Sequence, residues 1–162
     1  IVIMGGAINV CGNKNRVAEF NMFVDPDAAD IVFRTKVKRV LVPIDTCNEI
    51  VLSLKDFEEL KGSELYEPIK KMMNKYIIGI EKEEGVNGAL VYDAIAAYYL
   101  LNPGVYNLEP MDLVIETKGE YTFGMTVSEK RVSKEKNYNV DVVIKLDRDK
   151  FIGDFLEIIK NR

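Results

Sequence analysis

Ile1-Val2-Ile3-Met4-Gly5-Gly6-Ala7, then Gly12-Asn13, then Ala18-Glu19-Phe20-Asn21 and Asp25-Pro26 open the chain. A short apolar run ends in two glycines. A polar loop rich in amides and carboxylates follows, and a helix start closes the stretch. This is the layout of a binding loop at the carboxyl end of a parallel strand in an α/β sheet. A buried strand beginning at residue 1 is expected to have partners on residues that precede it. The chain therefore reads as the C-terminal part of a single larger domain.

Beyond this stretch, helices and strands alternate. Asp25-Pro26-Asp27 predicts a helix start, with a capping Asp and a proline in the first turn. Ala28, Ala29, Ile31, Val32 and Phe33 give that helix an apolar face. Arg39–Ile44 predicts a second short strand, and Leu54–Leu60 a short helix stopped by Gly62. Within 63–84, Leu65, Ile69, Met72, Met73, Tyr76, Ile77 and Ile80 recur at three- and four-residue spacing, the signature of a longer helix. Ala94–Leu101 predicts another helix. Leu113–Thr117 and Tyr121–Val127 alternate around Lys118-Gly119-Glu120 as a hairpin does. Val140–Leu146 predicts a strand, and Asp147 a cap for a last helix over 150–159. The pattern is that of an α/β domain with a mixed edge.

The 162 residues carry 48% hydrophobic and 30% charged side chains, which is globular composition and enough chain for a core. Net charge is −4, and no basic patch is interleaved with aromatics, so nucleic acid is not an expected partner. No apolar run approaches the roughly 20 residues that span a bilayer. The two cysteines, Cys11 and Cys47, lack metal-site spacing and are expected to be reduced thiols of a cytoplasmic protein. The chain has no histidine, which excludes Ser-His-Asp and Cys-His machinery within it. Gly5-Gly6 and Gly12 match neither GxGxxG nor a Walker A loop.

Met4-Gly5-Gly6-Ala7, Gly12-Asn13, Ala18-Glu19-Phe20-Asn21 and Asp25-Pro26-Asp27-Ala28-Ala29, in this order, resemble the inosine/uridine-preferring nucleoside hydrolases. Pro43-Ile44-Asp45 is similar to that family's Pro-Leu-Asp, and Tyr92-Asp93 stands where it has His-Asp. The matches run to about residue 103. The family's N-terminal acidic signature is absent from this chain. The resemblance implies a mostly parallel, Rossmann-like open sheet flanked by helices, with a β-hairpin near the C-terminus, as an incomplete domain. It implies hydrolysis of the N-glycosidic bond of ribonucleosides by a calcium-bound water. It also implies a homo-oligomer when complete, with the missing N-terminal half as partner, and 162 residues inactive by themselves.

The resemblance assigns the substrate-binding role to Met4, Asn13, Glu19, Phe20 and Asn21. Glu19 and Asn13 would lie near the 5′-hydroxyl and Asn21 near the ring hydroxyls, with Met4 lining the ribose. The chemistry is suitable, because sugar hydroxyls both donate and accept. Glu19 and Asn21 are two apart, so an extended loop would point both the same way. Ordinary solvated-turn chemistry is the alternative for these residues. Asp93 is read either as an N-cap for the helix that follows or, by resemblance, as one ligand of Ca²⁺. Calcium takes six to eight oxygens, and this chain shows no acidic loop to supply the others. Tyr92 replaces the histidine with which some family members protonate a departing purine. Its phenol, with an ordinary pKa of about 10, is a weak acid near neutrality. Tyr92 is thus a leaving-group contact or a packing aromatic, and pyrimidine nucleosides gain weight as substrates. Asp45-Thr46 is a further candidate at a strand end.

Two other classes stay open. One is a non-catalytic truncated or split-gene product acting as an interaction module. The other is a fragment of a sugar or nucleoside kinase.

Overall fold

The structure is a computed structural model and describes residues 1–132 and 134–162. In chain order its first elements are β1 (Val2–Met4), α1 (Phe20–Val24), α2 (Pro26–Arg34), β2 (Val40–Val42) and α3 (Ile44–Cys47). Then come β3 (Val51–Leu52), a 3₁₀ turn at Asp56–Leu60, α4 (Tyr66–Glu84), β4 (Ala89–Leu90) and α5 (Tyr92–Tyr99). A second 3₁₀ turn at Pro103–Val105 leads to β5 (Tyr106–Met111), β6 (Leu113–Ile115), β7 (Thr126–Ser128), β8 (Val140–Leu146) and α6 (Arg148–Lys160).

The main sheet runs in the order β1-β2-β8-β5. β1 and β8 each pair with β2 in parallel, and β5 closes the far edge antiparallel to β8. Two antiparallel pairs, β3-β4 and β6-β7, stand beside it. This is an open α/β sheet, mainly parallel, with a hairpin near the C-terminus, as expected from the sequence.

Alternation along the strands supplies two cores. On one face Val40, Val42 and Val143 pack with Leu60, Ile95, Phe151 and Leu156, while Val2 and Met4 rest against them half-buried. On the other face Leu41 and Val142 pack with Met22, Phe33, Leu113 and Ile115. Adjacent Val142 and Val143 are both fully buried, as a strand covered on both faces requires.

Several boundaries differ from the sequence reading. The polar loop expected between Gly5-Gly6 and the helix start at Asp25-Pro26 contains α1. The second strand stops at Val42, because Pro43 lacks a donor for the ladder and opens α3 instead. The helix expected from Ala94 begins at Tyr92, and Asp93 is inside its first turn; the N-cap is Val91, with no side-chain cap. β3, β4 and β5 were not expected. β3 and β4 are two residues each. β5 is an exposed edge strand that tolerates Pro110 and carries no apolar stripe.

Arg39 ties α2 to the sheet. Its guanidinium is buried and donates from Nη1 to Phe33 O (2.7 Å) and Asn139 O (2.8 Å), and from Nη2 to Thr35 O and Oγ1. It takes up carbonyls at the C-terminal end of α2, where the helix dipole also favours a cation.

Among the described residues β1 is hydrogen-bonded on one side only, and Ile1 beside it is 59% exposed. Unpaired strand edges template association. The 162-residue chain by itself should therefore bind a hydrophobic dye and self-associate in sedimentation. A monomer that excludes the dye would contradict this.

Candidate functional site

Of the candidate residues, Met4 ends β1 and Glu19 and Asn21 bond at the end of that strand, while Tyr92 and Asp93 follow β4. Glu19 is the N-cap of α1, and its buried carboxylate faces inward. Oε2 accepts from Gly6 N–H (3.0 Å) and Met22 N–H (3.3 Å), and Oε1 from Asn21 N–H (2.9 Å). Three backbone donors thus fix the turn after β1 to the start of α1. A carboxylate has about four lone-pair sites, so one on Oε1 is left. Asn21 is exposed, and its Nδ2 donates to Met4 O (3.2 Å) and meets Met4 Sδ (3.3 Å). The two side chains do not project together from an extended loop. They lie on a helix start and converge on β1 by different routes.

The loop between Gly6 and α1 is shaped from within. Asn13 Oδ1 accepts from Phe20 N–H (2.9 Å). Asn15 Oδ1 accepts from Val17 and Ala18 N–H, and its Nδ2 donates to Phe123 O (3.2 Å) in the β6–β7 connection. Phe23 meets the Phe123 ring edge-on at 5.6 Å. A Cβ on Gly12 would collide with the Ala18 backbone, so the glycine permits a close chain crossing. Phe20 is 51% exposed, with the Lys14 ammonium 5.8 Å from its ring centroid.

Asp45 is structural. Its carboxylate accepts from Ile8 N–H (2.9 Å) and Asn9 N–H (2.7 Å), and Thr46 Oγ1 donates to Val143 O (2.8 Å). Together they pin α3 to the loop and to β8.

Tyr92 is half-buried and packs on the same core as Met4. Its hydroxyl donates to Asn48 Oδ1 (2.8 Å). Burial, and after it the negative charges of Glu84 and Glu19, push its phenol well above the usual tyrosine range. The buried Cys47 thiol is pushed up to about 12 by burial and then by the charges of Asp93, Glu19 and Asp45. Cys47 is therefore an inert core thiol.

Asp93 is exposed and makes no hydrogen bond or ion pair among the described residues. Among those residues no group of three or more His, Cys, Asp or Glu side chains is arranged to hold a metal. The donors of this chain do not by themselves fit a calcium site. A cavity of about 690 Å³ lies at the opposite, amino end of the parallel strands, lined by Lys36, Lys38, Asp112 and Asp141 among others. It is remote from all of these residues.

Sequence reasoning missed Asn15 and Asn48. The first is one amide among several in its loop. The second stands three residues after Asp45 with no motif around it.

The sequence profile described as inosine-uridine preferring nucleoside hydrolase matches residues 1–153. The chain belongs to this family. Among curated relatives, the pyrimidine-specific ribonucleoside hydrolase RihA of Shewanella sp. (strain ANA-3) is 33% identical over 157 residues, covering 94% of this chain and 48% of that protein. RihA of Escherichia fergusonii is 31% identical over 164 residues, covering 99% and 52%. Among solved structures, a purine-preferring ribonucleoside hydrolase from Gardnerella vaginalis superposes with a TM-score of 0.87 at 24% identity, over 98% of this chain and 51% of that one. A plant nucleoside hydrolase gives 0.87 at 22%, over 99% and 53%. These two show a shared fold. The nucleoside hydrolase chain described here thus spans about half the length of the relatives it matches.

Proposed function

We propose that this chain is the C-terminal part of a single nucleoside hydrolase domain that cleaves the N-glycosidic bond of ribonucleosides. Met4, Asn13, Glu19, Phe20 and Asn21 form the ribose subsite, Tyr92 contacts the base, and Asp93 supplies one ligand to a Ca²⁺ ion. The remaining ligands lie outside these residues. The observation that carries the reading is the convergence of Glu19 and Asn21 on the carboxyl end of β1, in a chain of this family. Asn21 Oδ1 makes no hydrogen bond among the described residues and is free to accept from a ring hydroxyl. The remaining lone pair on Glu19 Oε1 suits the 5′-hydroxyl. Curated relatives described as pyrimidine-specific favour uridine and cytidine as substrates.

The test is release of free ribose from uridine, cytidine and inosine by the enzyme containing this chain. Asn21→Ala should lower kcat/KM by roughly tenfold or more, the worth of a lost hydrogen bond to a sugar hydroxyl. The variant should keep the wild-type melting temperature, because Asn21 is exposed. Absence of ribose release, or unchanged kinetics in Asn21→Ala, would overturn the assignment.

A further inference from the structure

The hydrogen bond from Tyr92 to Asn48 joins the segments that leave the carboxyl ends of β2 and β4. Asn48 sits on a fixed support. Its backbone N–H is held by the Ile44 and Thr46 carbonyls at the end of α3. α3 is itself pinned through Thr46 to β8 and through Asp45 to the loop after β1. Tyr92 stands in the first turn of α5, its ring half-buried against the core. The pair therefore has little freedom on either side.

A neutral phenol has one proton to give and lone pairs to accept with. Here the proton goes to Asn48 Oδ1. Among the described residues no other group makes a hydrogen bond to the phenolic oxygen. The oxygen is left as an acceptor at the edge of the site.

We propose that Asn48 is a positioning residue: it takes up the Tyr92 proton, so that Tyr92 meets the nucleobase as a hydrogen-bond acceptor. The group recognised is an N–H donor on the edge of the base. The proposal rests on the reading of Tyr92 as the base contact. It predicts a contribution to binding rather than proton delivery to the leaving group. An acceptor gains nothing as negative charge builds on the departing base.

The test is a double-mutant cycle in the full enzyme, with uridine and p-nitrophenyl riboside as substrates. Tyr92→Phe should raise KM for uridine by roughly tenfold with kcat little changed. Asn48→Leu should act in the same direction by several-fold. The double variant should be no worse than Tyr92→Phe alone. On p-nitrophenyl riboside, whose leaving group has no N–H, the rise in KM should be clearly smaller than on uridine in all three variants. If Asn48→Leu does not fold, Asn48→Ala removes the acceptor without adding bulk. A silent Asn48 variant, losses that multiply in the double variant, or a fall in kcat at constant KM would overturn the proposal. A Tyr92→Phe enzyme identical to wild type would remove the base contact itself. Failure of the wild type to release ribose would remove the hydrolase reading.

Discussion

Replacing Glu19 by glutamine should lower kcat/KM for nucleoside hydrolysis by roughly a hundredfold, although the side chain keeps its size. The carboxylate accepts from three backbone amides, on Gly6, Asn21 and Met22. A glutamine amide must aim its NH₂ group at least at one of them, donor against donor. A buried donor left without an acceptor costs about 1–3 kcal/mol, and the repulsion adds to it. The cost falls on the loop that presents Asn13, Phe20 and Asn21, so geometry and ribose binding are lost together. Glu19→Gln should also lower the melting temperature by a few degrees, which Asn21→Ala should not. Wild-type kinetics together with a wild-type melting curve would show that the carboxylate is dispensable.

Arg39→Met should be the most destabilising single change away from the site. Methionine fills comparable space but cannot donate. It would leave Phe33 O, Thr35 O and Asn139 O, now served by one guanidinium, without that partner. The expected loss is on the order of 3 kcal/mol. That corresponds to roughly 6–12 °C in melting temperature for a chain of this size. Arg39→Lys should recover only part, since one ammonium cannot reproduce a fork reaching two sides of the cleft. Nε of Arg39 is buried and has no partner among the described residues, so the whole tie to these carbonyls runs through the two Nη groups. A melting temperature unchanged in Arg39→Met would mean that water takes over these carbonyls at no cost.

Much of the fold was legible because its elements carry strong local signals. Val140–Leu146 is legible with the boundaries observed, since Val140, Val142, Val143, Ile144 and Leu146 form a β-branched, mostly apolar segment closed by a capping Asp. Asp25-Pro26 marked the start of α2 for the same reason. β5 was not legible, since an exposed edge strand has no apolar pattern to show. At the site, residue types were readable but their postures were not. Glu19 is identified by its motif, yet its inward carboxylate depends on Gly6 N–H, supplied from thirteen positions away. Asn48 gains its place from Tyr92, forty-four positions on, and nothing local to either residue announces the pair.

The order of the main sheet also governs how the molecule comes into being. β8 lies between β2 and β5, yet it is translated after both. About a hundred residues separate Arg39 from Asn139, which it bonds across the sheet. While the nascent chain emerges, β2 and β5 have no common neighbour, and Val142 and Val143 are not yet there to join the two cores. The sheet closes only once residues 140–146 have been made, through contacts distant in sequence, which slows folding. A chain that stops before residue 140 lacks the middle strand of its sheet rather than a peripheral one.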